Sequence, residues 1–130
     1  MRVLAIEDDA LNRRVVRDML SVAGVAMEDA ESAEIGLRMI DAADFDVVLM
    51  DLRMPGMDGF QAIDHIRARP DQKSRLPIIV ITADAAVDLR ERCLACGADD
   101  LLLKPVAMEE LFDAIGRVLA SRDSGGDLLI

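Results

Sequence analysis

Residues 48–59 read VLMDLRMPGMDG, and this stretch decides how the rest of the chain is interpreted. An apolar run ends at Asp51. Pro55 and Gly56 then form a turn, and Asp58 is placed to cap a following helix. A carboxylate at the end of a buried strand is costly unless other groups compensate it. We therefore expect other parts of the chain to bring compensating groups to Asp51.

Four short apolar runs have the pattern of strands that are buried on both faces of a parallel sheet. They are mostly β-branched and do not alternate with polar residues. The four runs are Val3–Ile6, Val47–Met50, Ile78–Ile81 and Leu101–Leu103. A weaker, partly alternating run from Val25 predicts an edge strand.

Helical periodicity fills the gaps between these runs and is clearest over residues 108–119. Alternating strands and helices predict an α/β fold: a flavodoxin-like (βα)5 doubly wound parallel sheet of five strands in the order 2-1-3-4-5. We expect one domain over residues 1–120 and a flexible, polar, Gly-rich tail over residues 121–130.

Composition excludes several classes of function. The 130 residues carry a net charge of −10, which argues against direct nucleic-acid binding. Three Phe and no Trp or Tyr argue against a flavin or base-stacking site. No apolar run is long enough to span a membrane, and the N-terminus turns acidic after four apolar residues, unlike a signal peptide. We expect a cytoplasmic protein.

Polar side chains follow four of the predicted strands at their carboxyl ends. Glu7 and Asp8 follow the first strand, Asp51 the third, Thr82 the fourth and Lys104 the fifth. Ligands of such sheets bind at this edge, at the switch point between the first and third strands. Clustered carboxylates repel each other, and Mg²⁺ with its preference for oxygen ligands relieves that repulsion. With the metal present, Asp51 can act as the nucleophile toward a phosphoryl group.

Four motifs give the chain a family resemblance. VLAIEDDALNRR, VVLMDLRMPGMDGF, PIIVITA and GADDLLLKP resemble, in order and spacing, the motifs of the response-regulator receiver domain. The match covers about residues 2–120. The resemblance implies a phosphoprotein of a two-component or phosphorelay system that accepts a phosphoryl group from a histidine kinase or histidine phosphotransfer protein.

The resemblance also implies a role for each residue of the site. Asp51 matches the phosphorylated aspartate, and Asp8 the acidic residue that binds Mg²⁺ directly. Glu7 matches its neighbour, which acts largely through water. The Arg53 backbone carbonyl matches the third metal ligand, Thr82 the switch hydroxyl and Lys104 the lysine that pairs with the phosphoryl group. The resemblance also implies a cis peptide bond at Lys104–Pro105.

One position departs from the usual pattern of the family, and two others border the phosphoryl site. Leu101 stands where many receivers carry an aromatic switch residue, so we expect switching through Thr82 to be weaker or to be read out by loop movement. Arg53 and Asp84 lie two residues beyond Asp51 and Thr82, and we expect them to pair across the site and slow the loss of the phosphoryl group. The alternative is two exposed charges of little consequence.

Three further features have two interpretations each. Arg13, Arg14 and Arg17 are predicted on the outer side of the first helix, either as a docking surface for the phosphodonor or as a solvated face. The Cys93–Cys96 pair lies at the end of a helix, which favours packing over redox chemistry. His65 lies away from the carboxylates, so a phosphohistidine or metal role is not expected.

We therefore predict a stand-alone receiver, a switch rather than a metabolic enzyme, which signals through phosphorylation-dependent contacts with a protein target as a monomer or a phosphorylation-dependent dimer. A phosphorelay intermediate or phosphate sink is the alternative within the same fold. A phosphatase with an aspartyl nucleophile is a distant alternative, because such enzymes carry a second Asp where this chain has Arg53. A flavodoxin-like electron carrier is disfavoured, because it would need a Gly-rich phosphate loop and stacking aromatics, and this sequence has EDDALN after the first strand and few aromatics.

Overall fold

The computed structural model describes residues 1–127 and the side chains of residues 1–121. Its elements alternate between strand and helix, as the sequence predicts. The strands are β1 (Arg2–Ile6), β2 (Ala26–Ala30), β3 (Val47–Met50), β4 (Ile78–Thr82) and β5 (Asp100–Leu103). The helices are α1 (Ala10–Val22), α2 (Ala33–Ala42), α3 (Gly59–Arg67), α4 (Leu89–Cys96) and α5 (Met108–Asp127), with a short 3-10 helix at Gln72–Arg75.

The five strands form one parallel sheet in the order β2-β1-β3-β4-β5, which confirms the predicted flavodoxin-like topology. The fourth apolar run, Leu101–Leu103, was expected to be buried on both faces, but it forms the edge strand β5 and Leu103 is exposed. The other three runs lie in the middle of the sheet, and every residue of β3 and β4 is buried. Helices cover both faces, because these strands have no polar face to turn toward water. One core lies under α2, α3 and α4, and the other under α1 and α5.

Helix ends follow local chemistry. The Asp9 carboxylate caps α1 by accepting a hydrogen bond from the Asn12 backbone N–H at 3.0 Å. Asp58 and Gln61 form a reciprocal capping box at the start of α3, as Asp58 predicts. Capping therefore fixes where α1 and α3 begin, directly after the loops that hold the acidic residues.

The C-terminal helix is longer than the sequence indicates. α5 continues to Asp127, so residues 121–127, expected in the tail, are helical. The remainder of the predicted tail, residues 128–130, lies outside the described residues. Over the part of the chain that the structure describes, no helix combines the length and hydrophobicity needed to cross a membrane.

Candidate phosphoacceptor site

The strand register brings the first and third strand ends together. Ile6 of β1 pairs with Met50 of β3, and the Asp51 backbone N–H donates to the Ile6 carbonyl at 3.0 Å. Glu7 and Asp51 are the next residues on each strand, so both leave the sheet at the same edge. This edge is the switch point, where α1 and α3 lie on opposite faces of the sheet.

Three carboxylates meet at this edge. One oxygen from each of Glu7, Asp8 and Asp51 lies within 4.8 Å of the others. Glu7 and Asp51 are buried, whereas Asp8 is exposed. The Glu7 Oε2 atom is buried and has no hydrogen-bond partner among the described residues. Because a buried polar atom is normally satisfied, this oxygen indicates a site that the protein alone leaves incomplete.

Lys104 supplies the counter-charge. Its Nζ lies 2.5 Å from Glu7 Oε1 and 3.2 Å from Asp51 Oδ2. β5 places it there, since the Lys104 backbone N–H donates to the Thr82 carbonyl at 2.8 Å. The Lys104–Pro105 peptide bond is cis, as the resemblance implies. The lysine that follows the edge strand β5 thus holds the two buried carboxylates together.

The local charges change the acidity of both partners. Burial and the nearby Asp51 carboxylate raise the pKa of Glu7 above its ordinary value, although Lys104 acts in the opposite direction. Burial alone would lower the pKa of Lys104, but its hydrogen bonds and charge interactions with Glu7 and Asp51 raise it. One ammonium therefore does not fully compensate two buried carboxylates, and the site favours a further cation.

Thr82 ends β4 at the neighbouring position. Its side chain is buried, and its Oγ1 accepts a hydrogen bond from the Asp84 backbone N–H at 3.2 Å. Met50 pairs with Val80, so Asp51 lies level with Ile81, and Thr82 is one residue further toward the carboxyl end of the sheet. The hydroxyl therefore belongs to the same edge, but its hydrogen bond goes to the β4–α4 loop.

The loop between β3 and α3 is held from two sides. The Glu34 carboxylate of α2 accepts a hydrogen bond from the Met57 backbone N–H at 3.0 Å. Gly59 lies so close to Asp51 that a Cβ there would be 2.4 Å from the Asp51 carbonyl oxygen. A side chain at this position would push α3 away from the strand end, so glycine is needed for the close approach.

Arg53 and Asp84 form the predicted pair. Arg53 Nη2 lies 2.8 Å from Asp84 Oδ2, with the Arg53 side chain 79% exposed and that of Asp84 26% exposed. The hydrogen bond from Arg53, with that from the Ala86 N–H, lowers the pKa of Asp84. The pair links the β3–α3 loop to the β4–α4 loop at the rim of the site.

The basic residues of α1 differ from the sequence expectation. Arg13 was expected on the outer side of the helix, yet its side chain is only 17% exposed and lies near Asp29. Arg17 also pairs with Asp29, at 3.0 Å, and donates to the Met27 carbonyl. Arg14 is exposed, as predicted. Linear spacing gave no indication that Arg13 turns back toward β1, because that contact depends on where β2 and α1 pack.

The remaining candidates lie away from the acidic cluster. Cys93 is buried and Cys96 half-buried at the end of α4, and burial raises the pKa of both thiols, which disfavours the reactive thiolate. His65 lies on α3, beside a groove that α2 borders on its other side. Leu101 packs half-buried against the core. None of these residues is brought to the cluster in the described structure.

The donor set fits a hard divalent cation. All the candidate side-chain ligands are carboxylates, and the unsatisfied Glu7 Oε2 needs a partner. Mg²⁺ in proteins is held by one or two carboxylates, with water and phosphate oxygens completing its coordination. The three clustered carboxylates are the ones that the resemblance implies as metal ligands, and their role, like that of the Arg53 carbonyl, stays a prediction.

The fold and site define a flavodoxin-like α/β domain with an acidic cluster at the switch point of its sheet. A family model described as the response regulator receiver domain matches residues 3–116. The chain belongs to the response regulator receiver domain family, whose members act in two-component signalling.

Known proteins show the same relationship. The chain is 34% identical over 128 residues to the sensor histidine kinase RcsC of Escherichia coli, covering 95% of this chain but only 13% of that protein. The chemotaxis protein CheY4 of Vibrio cholerae has 32% identity and a TM-score of 0.84, covering 91% of this chain and 98% of CheY4.

A third relative carries a metal. The receiver domain of the sensor histidine kinase PA1611 from Pseudomonas aeruginosa has 34% identity and a TM-score of 0.83, covering 92% of this chain and 97% of its own. Its structure holds a magnesium ion in the active-site cleft.

Proposed function

We propose that this protein accepts a phosphoryl group from a phosphohistidine onto Asp51 and signals through phosphorylation-dependent contacts with other proteins. The observation that carries the proposal is the position of Lys104 between Glu7 and Asp51, beside the three-carboxylate cluster. The Lys104 ammonium, together with a cation held by the carboxylates, would offset the negative charge with which a phosphoryl group arrives at Asp51.

Asp51 is the nucleophile. Its carboxylate oxygen forms a new bond to phosphorus while the bond between phosphorus and the donor imidazole nitrogen breaks, giving an aspartyl phosphate and a free histidine. A cleft of about 180 Å³ borders Glu7, Asp51 and Lys104 and opens between α1 and the β5–α5 connection. This cleft gives a donor side chain access to the carboxylate.

Lys104 and Thr82 stabilise the transferred group. The Lys104 ammonium already contacts Asp51 and pairs with a phosphoryl oxygen after transfer. The Thr82 hydroxyl donates to a second oxygen when it turns from its present hydrogen bond with the Asp84 N–H. Both groups act on the equatorial oxygens, where the charge of the transferring phosphoryl is concentrated.

Mg²⁺ would be held by Asp8, Glu7, Asp51 and the Arg53 backbone carbonyl. Bound there, it would neutralise carboxylate and phosphoryl charge. The magnesium ion in the PA1611 receiver supports this assignment. The chain's own contribution is to keep the carboxylates close together before the metal arrives, through the Lys104 bridge.

The output is a change in the β4–α4 loop. Movement of Thr82 breaks its hydrogen bond to the Asp84 N–H, and Asp84 also accepts from Arg53 and Ala86. The loop conformation therefore depends on the same hydroxyl that senses the phosphoryl group. The protein acts as a switch that catalyses only its own phosphorylation and dephosphorylation, in the cytoplasm.

A relay role is the second candidate. The similarity to RcsC, a sensor histidine kinase, favours a receiver that passes its phosphoryl group to another histidine. Incubation of the phosphorylated protein with a histidine phosphotransfer domain distinguishes the two. Rapid return of the phosphoryl group to histidine supports a relay, whereas a long-lived phospho-form that captures a target protein supports an effector.

Intact-mass spectrometry after incubation with acetyl phosphate and Mg²⁺ tests the main proposal. We expect one added phosphoryl group on the wild type and none on Asp51→Asn or with EDTA. A phosphohistidine-bearing kinase domain is the second donor, because some receivers accept only from histidine. Failure with both donors would contradict the proposal.

A further inference from the structure

Arg13 contacts the acidic site through the backbone. Its Nη1 donates a hydrogen bond to the Glu7 carbonyl oxygen at 2.7 Å, and its Nε lies 3.4 Å from Asp29 Oδ2. Long helical side chains point back toward the helix N-terminus, which carries Arg13 over the first turn of α1 to the end of β1. Arg13 therefore joins the first helix to the residue that begins the acidic cluster.

The bonded carbonyl belongs to the peptide unit that links Glu7 to Asp8. The Glu7 N–H donates to the Ala30 carbonyl at 3.0 Å, which fixes the preceding peptide unit to β2. Among the described residues, Arg13 is the only hydrogen-bond donor to the Glu7 carbonyl. The orientation of this peptide unit sets the direction of the Asp8 side chain. Without Arg13, the carbonyl oxygen of the unit would have no hydrogen bond from the described residues.

Charge alone does not explain this arrangement. An arginine beside a cation site repels the cation, and arginine cannot lose its proton. Asp29 offsets that repulsion, since it lies within ion-pair distance of Arg13 and of Arg17. The directional hydrogen bond to Glu7 is the contact that distinguishes Arg13 from Arg17.

We propose that Arg13 is a positioning residue of the phosphoacceptor site, which orients the Glu7–Asp8 peptide and thereby the two carboxylates that bind the metal. This inference rests on the proposed function. Partners that orient metal ligands typically change metal affinity by about 10- to 100-fold when removed. The Arg13 contact is to a ligand's backbone, so the lower end of that range is expected.

Arg13→Met and Arg17→Met form a matched pair. Both substitutions keep an unbranched apolar stem, remove one positive charge and remove one partner of Asp29, but only Arg13→Met removes the donor to Glu7. Mg²⁺ affinity is measured by titration calorimetry, and the melting temperature is measured in EDTA. We expect the dissociation constant for Mg²⁺ to rise roughly 10-fold in Arg13→Met and to stay close to the wild-type value in Arg17→Met.

Arg13→Lys provides the second variant. It keeps the charge and a donor on a flexible stem, so we expect Mg²⁺ affinity between those of the wild type and Arg13→Met. If Arg13→Met does not fold, this intermediate loss in Arg13→Lys carries the test.

The contrary results are distinct. Equal Mg²⁺ affinity in the Arg13 and Arg17 variants would overturn the positioning role, even if both lower the melting temperature. Failure of the wild type to bind Mg²⁺ and to take up a phosphoryl group would instead overturn the proposed function on which the inference rests.

Discussion

Two buried carboxylates lie at opposite ends of the sheet, and their surroundings differ. Glu7 follows the carboxyl end of β1 and is 7% exposed, whereas Asp100 begins β5 and is 5% exposed. Glu7 has Lys104 on one oxygen and no partner on the other within the described structure. Burial and the nearby Asp51 raise the pKa of Glu7.

Asp100 is satisfied by its own chain. Its Oδ2 accepts from Arg117 at 2.8 Å, and its Oδ1 accepts from Arg90 at 3.2 Å and from the Leu101 N–H at 2.8 Å. Burial alone would raise the pKa of Asp100, but these hydrogen bonds and charges lower it. The difference separates a carboxylate that completes the fold from one that the fold leaves available to a ligand.

Removal of Lys104 should have the largest effect on this comparison. Lys104→Met leaves Glu7 and Asp51 buried without their counter-charge, and breaking a buried ion pair from one side typically costs about 3 kcal/mol or more. We expect a fall of about 3 kcal/mol in the free energy of unfolding at pH 7 in EDTA, measured by urea denaturation.

The same variant offers an internal control. Protonation of Glu7 at lower pH relieves its repulsion with Asp51, so the deficit of Lys104→Met should shrink as the pH falls from 7 toward 4.5, the ordinary Glu pKa. A deficit that does not change with pH would show that Lys104 stabilises the protein by packing alone.

Metal binding should separate the two ends of the sheet next. A ligand that binds only the folded state at 100 times its dissociation constant stabilises the fold by about 2.7 kcal/mol. We expect Mg²⁺ to raise the melting temperature of the wild type and of Asp100→Asn equally, and to have little effect on Asp8→Asn. Loss of the Mg²⁺ response in Asp100→Asn would contradict the independence of the two ends.

Neutralisation of each buried acid should have opposite effects on stability. Asp100→Asn replaces an acceptor oxygen by an amide that faces a guanidinium, which we expect to cost about 1–2 kcal/mol, because both arginines are more than half exposed. Glu7→Gln in EDTA removes an incompletely compensated charge, so it should be at least as stable as the wild type at pH 7.

The pH dependence of the two variants provides the check. The pKa of Asp100 is lower in the folded state, so its stabilisation is present above pH 3.8 and is lost as the pH falls further. The pKa of Glu7 is higher in the folded state, so its ionisation penalty is relieved as the pH falls toward 4.5. Any advantage of Glu7→Gln should therefore vanish near pH 4.5, while the deficit of Asp100→Asn persists there. Urea denaturation across this range measures both.

The same contrast shows what the sequence was able to predict. Parallel topology brings strand ends together, so Glu7, Asp51 and Lys104 were predictable from their positions directly after apolar runs. The cap at Asp58 was predictable because it depends only on neighbouring residues.

Contacts between elements that are distant in sequence were less accessible. Arg13 was placed on the solvent face by helical periodicity, and only the packing of α1 beside β2 turns it toward Glu7 and Asp29. The sequence indicates no role for Asp100, because Arg90 and Arg117 meet it only after α4 and α5 are packed. Sequence periodicity therefore does not determine the partners of side chains that are long enough to reach another helix or strand.

The Arg53–Asp84 pair gives the smallest expected change in stability and tests whether an exposed contact can still matter for chemistry. Arg53 is 79% exposed on its side chain, so Arg53→Ala should leave the free energy of unfolding nearly unchanged. The pair nevertheless spans the two loops that flank Asp51, where water must approach an aspartyl phosphate from outside. We expect Arg53→Ala to shorten the lifetime of the phospho-form. This lifetime is measured as the loss of the added mass over time after the phosphodonor is removed.

Arg14→Ala, which replaces an exposed arginine outside this rim, is the matched control, and the lifetime of its phospho-form should equal that of the wild type. Equal decay in all three proteins would mean that the ion pair bridges the loops without screening the bond.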